Sequence, residues 1–93
     1  MHTPEWHEKQ EVKRFLDEIG AWHFSPLMSG YGKAGIPDIV ALHKGRFYGL
    51  EVKREGKGPT TLQMRRINEI TRAGGYAWAG TAEVLIRKIR ETL

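Results

Sequence analysis

The stretch Ile36–Lys53, IPDIVALHKGRFYGLEVK, decides the fold. Its first half, Ile36 to His43, is rich in Ile, Val and Leu and is bounded by Gly35-Ile36-Pro37 and Lys44-Gly45, the pattern of a β-strand. Proline is tolerated at the first residues of a strand, where its missing N–H need not join a ladder. Arg46 to Arg54 reads as a second strand. With Lys44-Gly45 as the two-residue loop of a tight hairpin, His43 pairs with Arg46, Ala41 with Tyr48 and Asp38 with Glu51. The two acids then leave one face with side-chain origins roughly 4.5–5.5 Å apart. Lys53, two residues beyond Glu51, shares that face.

Like charges directly opposite each other destabilise a sheet. Asp38 and Glu51 are therefore either wetted at a hairpin end, with Lys53 as an ordinary surface pair, or they hold a cation between them. The spacing alone leaves both readings open. Val40, Leu42 and Phe47 share the acid face, and Ile39, Ala41, Tyr48, Leu50 and Val52 occupy the other. Apolar residues on both faces imply a strand pair covered on both sides, with the acids at the edge of a core.

Helices are predicted on either side of this hairpin. Thr3-Pro4 forms a helix start with proline in the first turn, and the helix runs to Glu18 or Ile19 before Gly20. At about 100° per residue, Val12, Phe15, Leu16 and Ile19 form its buried stripe. Glu8 falls near the centre of that stripe, and Glu11 about a right angle away. A carboxylate there is costly unless paired or bound to a cation, which makes Glu8 a candidate third acid. The other possibility is a solvated first turn, where Glu5 and Glu8 favour the helix N-terminus electrostatically.

Ala21 to Ser29 reads as the first strand, with Pro26 pointing to an edge position or a bulge. Thr60 or Thr61 caps a second helix that ends at Ala73 before Gly74-Gly75. Leu62, Ile67, Ile70 and Ala73 are its apolar stripe; Arg65, Asn68 and Arg72 face away. Gln63 projects onto the stripe, either to support a metal or phosphate site or to cap backbone groups. Tyr76 to Ala79 is a fourth strand, and Thr81 caps a last helix packed through Val84, Leu85 and Ile89. The order is α-β-β-β-α-β-α, an α/β sandwich.

At 93 residues and 40% hydrophobic content, the chain is expected to form one domain, residues 1–93, with a modest core. It shows no signal peptide and no apolar run near ~18 residues. The absence of cysteine excludes disulfides and thiolate metal sites and fits a reducing cytoplasm. A net charge of +4 permits a polyanionic partner such as nucleic acid.

Gly30-Tyr31-Gly32-Lys33-Ala34-Gly35 matches G-x-G-x-x-G, but a dinucleotide fingerprint must open a helix, and here Pro37 and a β-type run follow. The glycines read instead as a mobile loop lying near a backbone phosphate, with Lys33 as a charge contact, or as a plain flexible loop. Four histidines show no metal-ligand spacing. Trp22, Phe24, Phe47 and Trp78 read as core; Trp6 and Tyr31 remain open as base-stacking residues.

Taken together, Glu8, Ser29-Gly30-Tyr31-Gly32, Gly35-Ile36-Pro37-Asp38, Glu51-Val52-Lys53 and Gln63 resemble the PD-(D/E)xK nucleases. More narrowly they resemble the virus-type replication-repair nuclease (VRR-Nuc) domain, a relative of archaeal Holliday junction resolvases. The resemblance spans Glu5 to about Leu85. It implies a restriction-endonuclease-like α-β-β-β-α-β core with a mixed sheet flanked by helices, plus the C-terminal helix. It also implies a metal-dependent DNA endonuclease, structure-selective for branched DNA and homodimeric, in an intracellular setting that a virus or phage origin also suits. Asp38 and Glu51 would be metal ligands, Val52 a carbonyl ligand, Glu8 a direct or water-mediated ligand, Lys53 the catalytic lysine and Gln63 a supporting residue. Such oxygen donors suit Mg²⁺ or Mn²⁺. Ser29, Gly30, Tyr31, Gly32 and Lys33 would approach nucleic acid. Two other functions remain: a nuclease-fold binding module without catalysis, and a monomeric nicking nuclease on linear DNA.

Overall fold

The computed structural model of the chain describes residues 1–27 and 32–93. The elements, in chain order, are α1 (Pro4–Glu18), β1 (Trp22–Phe24), β2 (Ile39–His43), β3 (Arg46–Val52), α2 (Thr61–Arg72), β4 (Tyr76–Gly80) and α3 (Ala82–Arg90). This is the predicted α/β order. The strands form one sheet in the order β1-β2-β3-β4. β1, β2 and β3 are antiparallel neighbours, whereas β4 runs parallel to β3 after the α2 crossover.

The hairpin has the predicted register: His43 faces Arg46, Ala41 faces Tyr48 and Ile39 faces Leu50. Lys44 and Gly45 have φ of 49° and 81°, the pair of positive angles that a two-residue hairpin loop demands. β1 is shorter than the predicted Ala21–Ser29, ending before Ser25-Pro26, and it lies at the edge of the sheet, the first of the two alternatives that Pro26 suggested.

Helices cover both faces. Val12, Phe15 and Leu16 of α1 and Ala82, Leu85 and Ile89 of α3 pack with Ile39, Ala41, Tyr48, Leu50 and Val52 in the main core. Tyr48 is fully buried, and its hydroxyl meets Thr92 Oγ1 at 2.5 Å. α2 lies on the acid face. Its side chain Ile70 would stand 2.9 Å from a Cβ added at Gly49, and the Pro37 ring would stand at 3.0 Å. Glycine at this strand position is what lets helix and proline reach the sheet.

All three predicted N-caps form: Thr3, Thr60 and Thr81 side chains accept from the backbone N–H of Trp6, Gln63 and Val84. The aromatic residues depart from expectation. Trp22 is 64% exposed, Phe24 45% and Phe47 39%, and only Trp78 is half-buried. Trp22 and Phe24 lie on the acid face of β1, and α2 covers only the β3–β4 half of that face, so the β1–β2 half stays open; Phe47, at the start of β3, sits beside Gly75 at the rim of the covered half. No helix among the described residues is long and apolar enough to cross a membrane.

A side chain at Gly49 has nowhere to go. Gly49→Val is expected to destabilise the fold by about 1–3 kcal/mol, read as a lower midpoint in chemical denaturation.

Candidate active site

Pro37 ends the ladder that β2 makes with β3, so Asp38 sits one step beyond the last pair, Ile39 opposite Leu50. Continuing that register places Asp38 opposite Glu51. In place of a main-chain partner, Asp38 Oδ2 accepts from the Val52 N–H at 2.9 Å. Its other oxygen, Oδ1, lies 3.6 Å from Lys9 Nζ of α1.

Glu51 is only 3% exposed. Oε2 lies 3.8 Å from Lys53 Nζ, and Oε1 is buried with no hydrogen-bond partner. Burial foremost, and then hydrogen bonding to and the charge of Asp38, push the Glu51 carboxyl up to about 8 against the opposing pull of Lys53 and Lys9. Two carboxyls, one of them desolvated, therefore meet at the end of the hairpin with two ammonium groups beside them. Glu51 therefore keeps its proton near neutral pH.

Glu8 and Gln63 each have a backbone partner of their own. Glu8 Oε1 lies 3.4 Å from the Ala82 N–H, at the start of α3, where a carboxylate meets the positive end of the helix. Among the described residues, no group of three or more His, Cys, Asp or Glu is placed to hold a metal ion. Gln63 completes a capping box: its Oε1 accepts from the Thr60 N–H at 2.9 Å. The capping alternative for that inward glutamine is thus the one seen.

Lys33 Nζ lies 3.6 Å from Glu69 Oε1, and Glu69 also accepts two hydrogen bonds from Arg66. Arg66 in turn donates to the Ala34 carbonyl at 2.8 Å. Gly35 has φ of 78°, and a Cβ there would lie 2.8 Å from Leu62 Cγ. The segment Lys33–Gly35 is thereby docked on α2 immediately before Pro37-Asp38. Ser29, Gly30 and Tyr31 lie outside the described residues; Gly32 is exposed.

Lys9 was missed by sequence reasoning. Helical spacing puts it next to Glu8, but nothing in the spacing says which of the two reaches the hairpin end. Glu5 was also read only as a helix-start charge, yet it lines a cavity with Lys53.

Compared with solved structures, the chain is similar to one described as "VRR_NUC domain", with a TM-score of 0.80 over 97% of each chain at 23% identity. No protein-family model and no curated protein matches the sequence. The likeness is one of architecture: a small mixed sheet with three helices, folded as a VRR-Nuc domain.

The raised Glu51 carboxyl has a linkage consequence. A proton retained in the fold up to about pH 8, against 4.5 for a free glutamate, stabilises the native state fully below about 4.5. That contribution is lost as pH rises through about 8. In buffer containing EDTA, thermal melts from pH 5 to pH 9 are expected to fall more steeply for the natural sequence than for Glu51→Gln.

Proposed function

We propose that this chain is a metal-dependent nuclease that hydrolyses phosphodiester bonds in DNA at the Asp38–Glu51–Lys53 cluster. The observation that carries the reading is a buried glutamate with an unpartnered oxygen beside a second carboxylate, Asp38, which accepts from the Val52 N–H next along the strand. A divalent cation fits these residues. Asp38 and Glu51 offer hard anionic oxygens, the donor class of Mg²⁺ or Mn²⁺, and Glu51 Oε1 awaits a partner. In an extended strand the N–H and C=O of one residue project to the same side. The Val52 carbonyl therefore leaves β3 on the side where its N–H meets Asp38, in keeping with its role as a third donor. When bound, such an ion supplies Lewis acidity toward a phosphate oxygen and makes water a better nucleophile.

The chain's own groups do the rest. Lys53, held beside Glu51 by strand periodicity, places positive charge where a scissile phosphate gains negative charge. The Val52 N–H orients Asp38. Because Glu51 keeps its proton up to about 8, a cation held by it would bind more tightly as pH rises toward that value and level off above it. Glu8, whose Oε1 accepts from the Ala82 N–H, offers its other oxygen as a third acid, and Gln63 supports the site through the cap of α2.

Branched DNA is the proposed substrate and a homodimer the proposed assembly. One centre cuts one strand, and paired cuts need two centres related by symmetry. Trp22, Phe24 and Leu42 on the open sheet face, next to the unpaired edge of β1, support a second copy of the chain at that surface. A second reading, a nucleic-acid-binding module that keeps this fold without catalysis, is favoured by the Lys9–Asp38 contact, which neutralises an acid that a cation would need.

Labelled duplex, flap and four-way-junction DNAs incubated with Mg²⁺ or Mn²⁺ separate the readings. Asp38→Asn and Lys53→Ala are each expected to lower the cleavage rate roughly 10²-fold or more while the protein stays folded by circular dichroism. Undiminished cleavage by Asp38→Asn, or none by the natural sequence with either ion, refutes the nuclease. Strand mapping on the junction then distinguishes paired incisions from the isolated nicks of a monomer on linear DNA. Trp22→Glu is expected to halve the mass seen by light scattering; a natural chain that is already monomeric removes the dimer.

A further inference from the structure

β3 ends at Val52, and the chain continues through Lys53 straight into a tight turn bearing two more cations. The Lys57 N–H donates to the Arg54 carbonyl at 3.1 Å, and Gly56 has φ of 82°. This is the i to i+3 closure of a reverse turn with glycine at the position that needs a positive angle. It brings Arg54 and Lys57 side by side. Facing them is the first turn of α1, and the space between is an open cavity of about 370 Å³, with Thr3, Pro4 and Glu5 on one wall and Lys53, Arg54 and Lys57 on the other.

Three cations line this cavity against one carboxylate, Glu5. Lys53 already has a partner in Glu51. Among the described residues, neither Arg54 nor Lys57 is within salt-bridge distance of a carboxylate. Arg54 presents the planar fork that matches two oxygens of a phosphate, and Lys57 adds a mobile point charge. The cavity and the acid pair share Lys53, so an anion seated against Arg54 and Lys57 lies beside whatever is held at Asp38 and Glu51.

We infer that this cavity is a subsite for the backbone phosphate adjacent to the scissile one, gripped by Arg54 and Lys57. The inference rests on the nuclease reading of the acid pair and extends it: the substrate is a polynucleotide held at two successive phosphates. Arg54 and Lys57 are positioning residues, and the turn at Gly56 sets the distance between the two grips.

The test measures DNA affinity by fluorescence anisotropy in EDTA, where cleavage plays no part, for Arg54→Gln, Lys57→Gln and the control Arg87→Gln on the exposed side of α3. Each cavity variant is expected to bind roughly ten-fold more weakly and to lower the slope of log affinity against log salt by about one. The control reports the effect of net charge alone. Cleavage of oligonucleotides with a single uncharged methylphosphonate near the cut supplies adjacency. The natural sequence should lose rate at one flanking linkage, and the cavity variants should lose nothing further there. Affinity and salt slope that match the control overturn the subsite. Losses that multiply at every flanking linkage overturn its adjacency. If the natural sequence binds through these cations and cuts nothing, the nuclease reading fails and the phosphate site stands.

Discussion

The register of the β2–β3 hairpin governs everything else in this molecule. Lys44 and Gly45 close it with two positive φ angles, and the ladder they start runs from His43–Arg46 to Ile39–Leu50. Because side chains alternate, a one-residue slip would send Asp38 and Glu51 to opposite faces and turn the apolar face of Ile39, Ala41, Leu50 and Val52 toward the wrong helices. Core burial and site assembly are thus consequences of the same pairing. The main core, packed by α1 and α3, fixes the register, and the acids across the sheet inherit it.

The site is an electrostatically unfinished structure. A glutamate taken out of water beside an aspartate is expensive in its charged form, and the fold spends no hydrogen bond on its inner oxygen. Lys53 and Lys9 approach at 3.8 and 3.6 Å without removing the strain on Glu51. Nothing in core packing calls for this arrangement; an apolar residue at Glu51 would serve α2 and β4 better. The arrangement costs stability in the free protein, and in the proposed nuclease a divalent cation would offset that cost.

α2 connects the two halves of this picture. Its first turn meets Gly35 through Leu62, its third turn seats Ile70 against Gly49, and Arg66 reaches the Ala34 carbonyl. The helix therefore clamps the chain just before Pro37-Asp38 while covering the strand that carries Glu51. Its coverage ends at β3 and β4, so Trp22, Phe24 and Leu42 remain in the open, a surface more apolar than an isolated sheet needs.

Local chemistry made much of this legible in the residues. Threonine caps, a Lys-Gly loop and period-two alternation each act within a few positions, so the three helix starts and the hairpin register as far as Ile39–Leu50 could be read from the chain; Asp38 and Glu51 lie one step beyond the last pair. Other features depended on which elements became neighbours. Periodicity placed Glu8 on the buried stripe of α1 but could not say that α3 would start against it and that Lys9 would turn to Asp38. It gave Gln63 an inward direction, and the partner it found was its own cap. Aromatic residues in the sheet read as core because hydrophobicity does not report how far one helix can extend over four strands. The sequence by itself determined the elements and the register, which arise from short-range geometry. Tertiary packing decided the partners of long, flexible side chains, because these are set by the docking of distant helices.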